Sequence, residues 1–215
     1  MRKYFDEQLE QLKTQLLKMG ALVEEEIDIA IKSLIDQDLE LAEKVFELER
    51  KTDELELIIE DKCLDLLALQ QPIAKDLRMI STILKIITDL ERIGDHGVNI
   101  AKVTLKIGKE KLIKPLIDIP RMSDITRKMI KMSLDSFISE DSEKAKKVAE
   151  MDDSIDIIYE DIYIELLEML SNNKKVMNQV IDLLFIGRYL ERIADHTTNI
   201  CEGIIYMTTG ERLEF

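Results

Sequence analysis

Carboxylates recur in this 215-residue chain at a spacing that could hold metal ions. Glu49-x-x-x-Asp53 and Glu91-x-x-x-Asp95 lie in the first half, and Asp152-x-x-x-Asp156 and Glu191-x-x-x-Asp195 in the second. Four residues is slightly more than one turn of α-helix, so each pair occupies one helix face, one acid above the other. Asn99 and Asn199 extend the later pair of each half by a further turn. Two such faces brought together gather carboxylates that repel, raising each other's proton affinity unless a cation lies between them. Oxygen-only donors suit hard cations, and bridging carboxylates suit more than one ion. A single Glu-x-x-x-Asp is ordinarily a solvated face, and Arg92 and Arg192 could neutralise these acids by ion pairing. Convergence of four acids, twice, is what points to metal.

No other chemistry assembles. Cys63 and Cys201 stand alone, without a Cys-x-x-Cys or a histidine at zinc-finger spacing, and read as buried free thiols. His96 and His196 follow the aspartates directly, about 100° round the helix from them, which suits a supporting or surface position rather than shared coordination. They lie five residues from Glu91 and Glu191, not at the Glu-x-x-His spacing of carboxylate-bridged di-metal bundles. Gly94, Gly97, Gly187 and Gly203 follow no phosphate-cradling pattern and suit close helix contact. No nucleophile has a base and an orienting acid beside it, so no catalytic residue is assigned. Two other classes remain to be separated from a metal-binding protein without catalysis. A carboxylate-bridged metal enzyme needs the missing Glu-x-x-His, and a purely structural helical adaptor would bind no stoichiometric metal.

The elements that must position these acids are helices. Seven Gly and three Pro leave long uninterrupted stretches. Asp38 is a candidate N-cap, Pro72 fits the first turn of a third helix, and Pro115 and Pro120 bracket a linker. Every proline is placed between helices. Six long helices follow, over 4–36, 39–70, 73–108, 121–138, 142–171 and 174–209.

The two halves repeat. Leu90-Glu91-Arg92-Ile93-Gly94-Asp95-His96-Gly97-Val98-Asn99-Ile100 recurs one hundred residues later from Leu190 to Ile200, identical at eight of eleven positions. A weaker echo, shifted by 103, relates Lys44–Glu49 to Lys147–Asp152. The fold class is therefore all-α, two tandem antiparallel three-helix bundles, over 1–112 and 113–215. In a helical hairpin, residues equidistant from the turn lie level. Glu49 with Asp95, and Asp53 with Glu91, are both centred on Pro72; Asp152 with Asp195, and Asp156 with Glu191, are both centred on the Asn173-Lys174 turn. The acids of each half should face one another. Folding the first helix about Gln37 brings Glu25 level with Glu49, a further candidate ligand, where the second half has Lys128 level with Asp152. A second apolar line, Ile86, Ile93 and Ile100, predicts that the third helix is covered on two sides, by the other repeat or by another subunit.

Forty-four acidic against thirty basic residues give a net charge of −14, which argues against nucleic acid or an anionic membrane as partner. No apolar run approaches a membrane span and the first residues lead into acidic sequence, so a soluble, cytoplasmic protein is expected.

The doubled Glu-Arg-Ile-x-Asp-His-x-x-Asn-Ile motif at Glu91–Ile100 and Glu191–Ile200, with Glu49-x-x-x-Asp53 and Asp152-x-x-x-Asp156, resembles the PhoU-type phosphate-uptake regulators over essentially the whole chain. The resemblance implies a cytoplasmic, often homodimeric regulator that restrains phosphate-starvation signalling. Its implied partners are a phosphate ABC transporter, through the ATPase subunit, and a sensor histidine kinase. It also implies metal held by the E/D-x-x-x-D motifs, in some members as multinuclear iron clusters. The residues alone leave zinc, manganese, magnesium and calcium equally open.

Overall fold

With so few helix breakers, the computed structural model, which describes residues 2–213 and 215, is built among those residues of helices and their connections alone. The helices are α1 (Arg2–Asp36), α2 (Leu39–Gln70), α3 (Ala74–Ile107), α4 (Asp118–Ser139), α5 (Ser142–Ala149), α6 (Asp152–Asn172) and α7 (Met177–Thr209). None is long and apolar enough to cross a membrane. The six-helix plan holds, with the fifth predicted helix interrupted at Glu150–Met151, where Glu150 N–H reaches back to the Lys146 carbonyl and Met151 N–H to the Val148 carbonyl. That break makes Asp152 the first residue of α6. A single 3₁₀ turn, Lys174–Val176, leads into α7.

Two prolines lie elsewhere than expected. Pro72 sits in the connection before Ile73 and Ala74 rather than in the first turn of α3. Pro120 lies inside α4, in its first turn, where the missing N–H would have had no helical acceptor.

The first turn of each half is built alike, 103 residues apart. Gln37 and Glu140 both adopt left-handed backbone, with φ of 49° and 51°, and the following aspartate caps the next helix. Asp38 accepts from Leu41 N–H at 3.0 Å, and Asp141 from Lys144 N–H at 2.9 Å.

Within each half the outer helices pack on two inner ones: α2 on α1 and α3, and α5 and α6 on α4 and α7. The halves join through their inner helices. Arg127 of α4 donates to Asp28 of α1 at 2.6 Å. α3 runs antiparallel to α7, from Arg78 donating to the Met207 carbonyl at one end to Lys106 donating to Asp182 at the other. Ile86, Ile93 and Ile100, with Ile186, Ile193 and Ile200, are all buried, so the second apolar line of α3 is covered by the other repeat. Buried Gln179 secures the linker, accepting from Ile113 N–H at 2.6 Å and donating to the Lys111 carbonyl at 3.1 Å.

Candidate metal centres

Each half gathers its acids where an outer helix faces the last inner one. In the first, Glu49 and Asp53 of α2 stand opposite Glu91 and Asp95 of α3. Burial holds the Glu49 carboxyl above its ordinary range, and the charges of Asp53 and Asp95 add to the effect. Asp53 is raised by burial and by Asp95. Glu91 is raised by burial and Asp95, opposed by Arg92, whose guanidinium reaches Asp95 at 3.2 Å and Glu91 at 3.3 Å.

In the second half, Asp152 and Asp156 of α6 face Glu191 and Asp195 of α7. Asp152 is pushed up to about 7 by burial first, then by Asp156, Asp195 and Glu191. Glu191 is raised by burial and Asp195, with Arg188 hydrogen-bonded to it and opposing. The helices come close here because position 187 has no side chain. A Cβ on Gly187 would meet the Tyr159 ring at 2.9 Å.

Three of the sequence-predicted side chains lie outside these groups or at their margin. Glu25 is exposed on the outer face of α1, beside Glu24, Asp28 and Arg127. Lying level with Glu49 sets only its height; the helical phase turns it away. α1 instead sends in Glu26, fully buried and unnoticed from spacing alone. Its signal was its place among Met19, Val23, Ile27 and Ala30, the buried stripe of α1, where a charged residue has no ordinary reason to be. Asn199 is exposed and lines the cleft between α3 and α7 with Lys85, Asp89 and Glu202. Asn99 is half-buried, one turn beyond Asp95.

The histidines meet at the seam between the halves. His96 is buried and stacks on Tyr189, ring centroids 5.7 Å apart, with the His196 ring 5.8 Å away. Burial, with the His196 and Arg192 charges nearby, pushes His96 down to about 4, so it is neutral at neutral pH. His196 Nδ1 lies 3.0 Å from Asp89 Oδ1. Both cysteines are buried free thiols pushed up to about 12 by burial.

Two observations test whether the acidic groups suit a cation. Among the described residues no three His, Cys, Asp or Glu side chains already close round a single point, as mutually repelling carboxylates without a counter-charge would not. Yet Glu26 Oε2, Asp152 Oδ1 and Glu191 Oε2 are buried without a hydrogen-bond partner among the described residues. Buried oxygens of that kind are costly unless something binds them. The donor set is all oxygen, so the residues fit hard cations.

The PhoU domain model matches residues 16–104 and again 119–204. A phosphate-specific transport system accessory protein PhoU homolog of Clostridium acetobutylicum is 42% identical over 214 residues, spanning 99% of this chain and 98% of the relative. A protein of the same name from Aquifex aeolicus is 42% identical, over 97% and 94%. The crystal structure of PhoU from Pseudomonas aeruginosa superposes with a TM-score of 0.92 at 33% identity, covering 96% of this chain and all of that one. That of the phosphate transport system regulatory protein PhoU from Streptococcus pneumoniae gives 0.91 at 32% identity, over 98% and 100%.

Proposed function

The chain belongs to the PhoU domain family, and from that premise we propose that it is a regulatory accessory protein of a phosphate-specific transport system, acting by protein contact and not by catalysis. The observation that carries this is the doubled acidic constellation lying inside two PhoU matches that together take in most of the chain. Its two units, 1–112 and 113–215, each bear one patch. In phosphate-replete cells it restrains phosphate-starvation signalling, working in the cytoplasm as a homodimer against the ATPase subunit of a phosphate ABC transporter and a sensor histidine kinase. The net charge of −14 supports docking to basic surfaces on such partners.

Glu49, Asp53, Glu91 and Asp95 would hold metal in the first unit, and Asp152, Asp156, Glu191 and Asp195 in the second. Iron is the ion the resemblance favours; zinc, manganese, magnesium and calcium share the taste for oxygen donors. Bound cations supply positive charge between helices whose facing carboxylates otherwise repel. The carboxylates then draw α2 to α3 and α6 to α7, fixing the outer faces that partners meet.

Deleting the gene should switch on phosphate-responsive promoters in phosphate-replete cells. Supplying the wild-type chain should restore repression, and a chain carrying Glu91→Gln, Asp95→Asn, Glu191→Gln and Asp195→Asn should not. Promoter activity that stays repressed after deletion contradicts the regulatory reading.

A further inference from the structure

The two acidic patches are not equivalent, and the difference comes from a helix that carries none of the repeated motifs. α1 sends the Glu26 side chain inward, fully buried. One carboxylate oxygen accepts from the Thr52 hydroxyl; the other has no partner among the described residues. The charges that bear on it, Glu49, Asp53 and Asp95, are all negative.

α3 is cut away to admit this group. A Cβ built on Gly94 would stand 2.8 Å from Glu26 Oε2, and one on Gly97 would touch the Glu26 backbone at 3.7 Å. The second unit has Ala194 and Thr197 at those positions. Counting back from the matched turns at Gln37 and Glu140, the counterpart of Glu26 is Met129, fully buried and uncharged. A thioether is a poor ligand for a hard cation.

Resting on the reading that the patches bind cations, we infer that Glu26 makes the first patch the tighter site by supplying from α1 a fifth carboxylate that the second patch lacks. A buried carboxylate surrounded by acids, with one oxygen left over from the Thr52 hydrogen bond, is stabilised by a cation beside it. Gly94 is the residue that makes room for it.

Manganese(II) titration of the metal-free, full-length protein, following free Mn²⁺ by its EPR signal, tests this. Wild type should show two classes of site. Asp95→Asn should remove the tighter class and Asp195→Asn the weaker, assigning each to its patch. Glu26→Gln keeps the Thr52 hydrogen bond and the side-chain volume; it should weaken the tighter class at least tenfold and leave the other unchanged. Gly94→Ala, which displaces the carboxyl, should act in the same direction. The metal-free Glu26→Gln protein should melt no lower than metal-free wild type, because a purely structural Glu26 would lower it. A tighter class unaffected by Glu26→Gln, or both classes weakened alike, overturns the inference while leaving the cation sites standing. A wild-type protein that takes up no Mn²⁺ overturns the cation reading itself, and the inference with it.

Discussion

Glu49 and Asp53 lie in the middle of a continuous helix, and Glu26 closes their patch from α1; Asp152 opens a helix that has just been broken, and Met129 stands where Glu26 would be. The same four-acid arrangement thus has two settings. In the first, repulsion is concentrated on a fully buried group with no cation beside it. In the second, Asp152 sits at a helix N-terminus, where the exposed N–H groups favour negative charge, and Arg188 is hydrogen-bonded to Glu191. Each patch has an arginine on its acids, Arg92 in the first and Arg188 in the second; what the first has in addition is the fully buried Glu26. A sequence repeat therefore specifies the facing helices, while the first helix of each unit, α1 or α4, decides whether a further carboxylate is added.

The seam offers the largest perturbation that should not discriminate between the patches. Ile93→Ala and Ile193→Ala remove matching, fully buried side chains, and each should cost about 2–5 kcal/mol. Urea denaturation should find the two alike; a large inequality would mean that the halves do not share this core evenly.

Acidity should act on both patches in the same direction. Glu26 is pushed up to about 7 by burial, opposed by Thr52 and reinforced by Glu49, Asp53 and Asp95. A carboxyl raised on folding holds its proton more tightly in the folded chain, so stability increases as pH falls. For Glu26 the gain begins near pH 7 and is complete below its unfolded value of about 4.5. Asp152, also about 7, contributes in the same sense. Metal-free protein should gain about 2.5 kcal/mol from Glu26 between pH 8 and pH 5. Urea midpoints across that range should show the gain much reduced in Glu26→Gln.

Gly94→Ala and Ala194→Gly exchange the small residues of the two units. The first forces a Cβ against Glu26 and should cost about 1–3 kcal/mol. The second adds only backbone freedom, about 0.5–1 kcal/mol. Thermal melts that reverse this order would contradict the close approach at Gly94. Smallest of all, Asp38→Ala and Asp141→Ala remove equivalent caps and should each cost about 1 kcal/mol, so their melting shifts should be of similar size.

Much of this was legible before folding. The repeat and the shortage of helix breakers set the six-helix plan, and counting outward from the turns placed Glu49 opposite Asp95 and Asp152 opposite Asp195. Height along a hairpin is linear in residue number, which is why equal distance from the turn identifies the facing acids. Azimuth is not, and so level alone points to Glu25, although the phase of Met19, Val23, Ile27 and Ala30 turns Glu26 inward. The break at Glu150–Met151 carries no Gly or Pro to announce it. Nor could one sequence say what covered Ile86, Ile93 and Ile100. That depended on α7 lying antiparallel to α3, a tertiary fact.

The metal bound per chain, measured on protein purified without chelator beside the variant carrying Glu91→Gln, Asp95→Asn, Glu191→Gln and Asp195→Asn, tests the central claim most directly. Two occupied patches predict at least one ion per unit in the wild type and near zero in the variant. Equal, trace metal in both would contradict it.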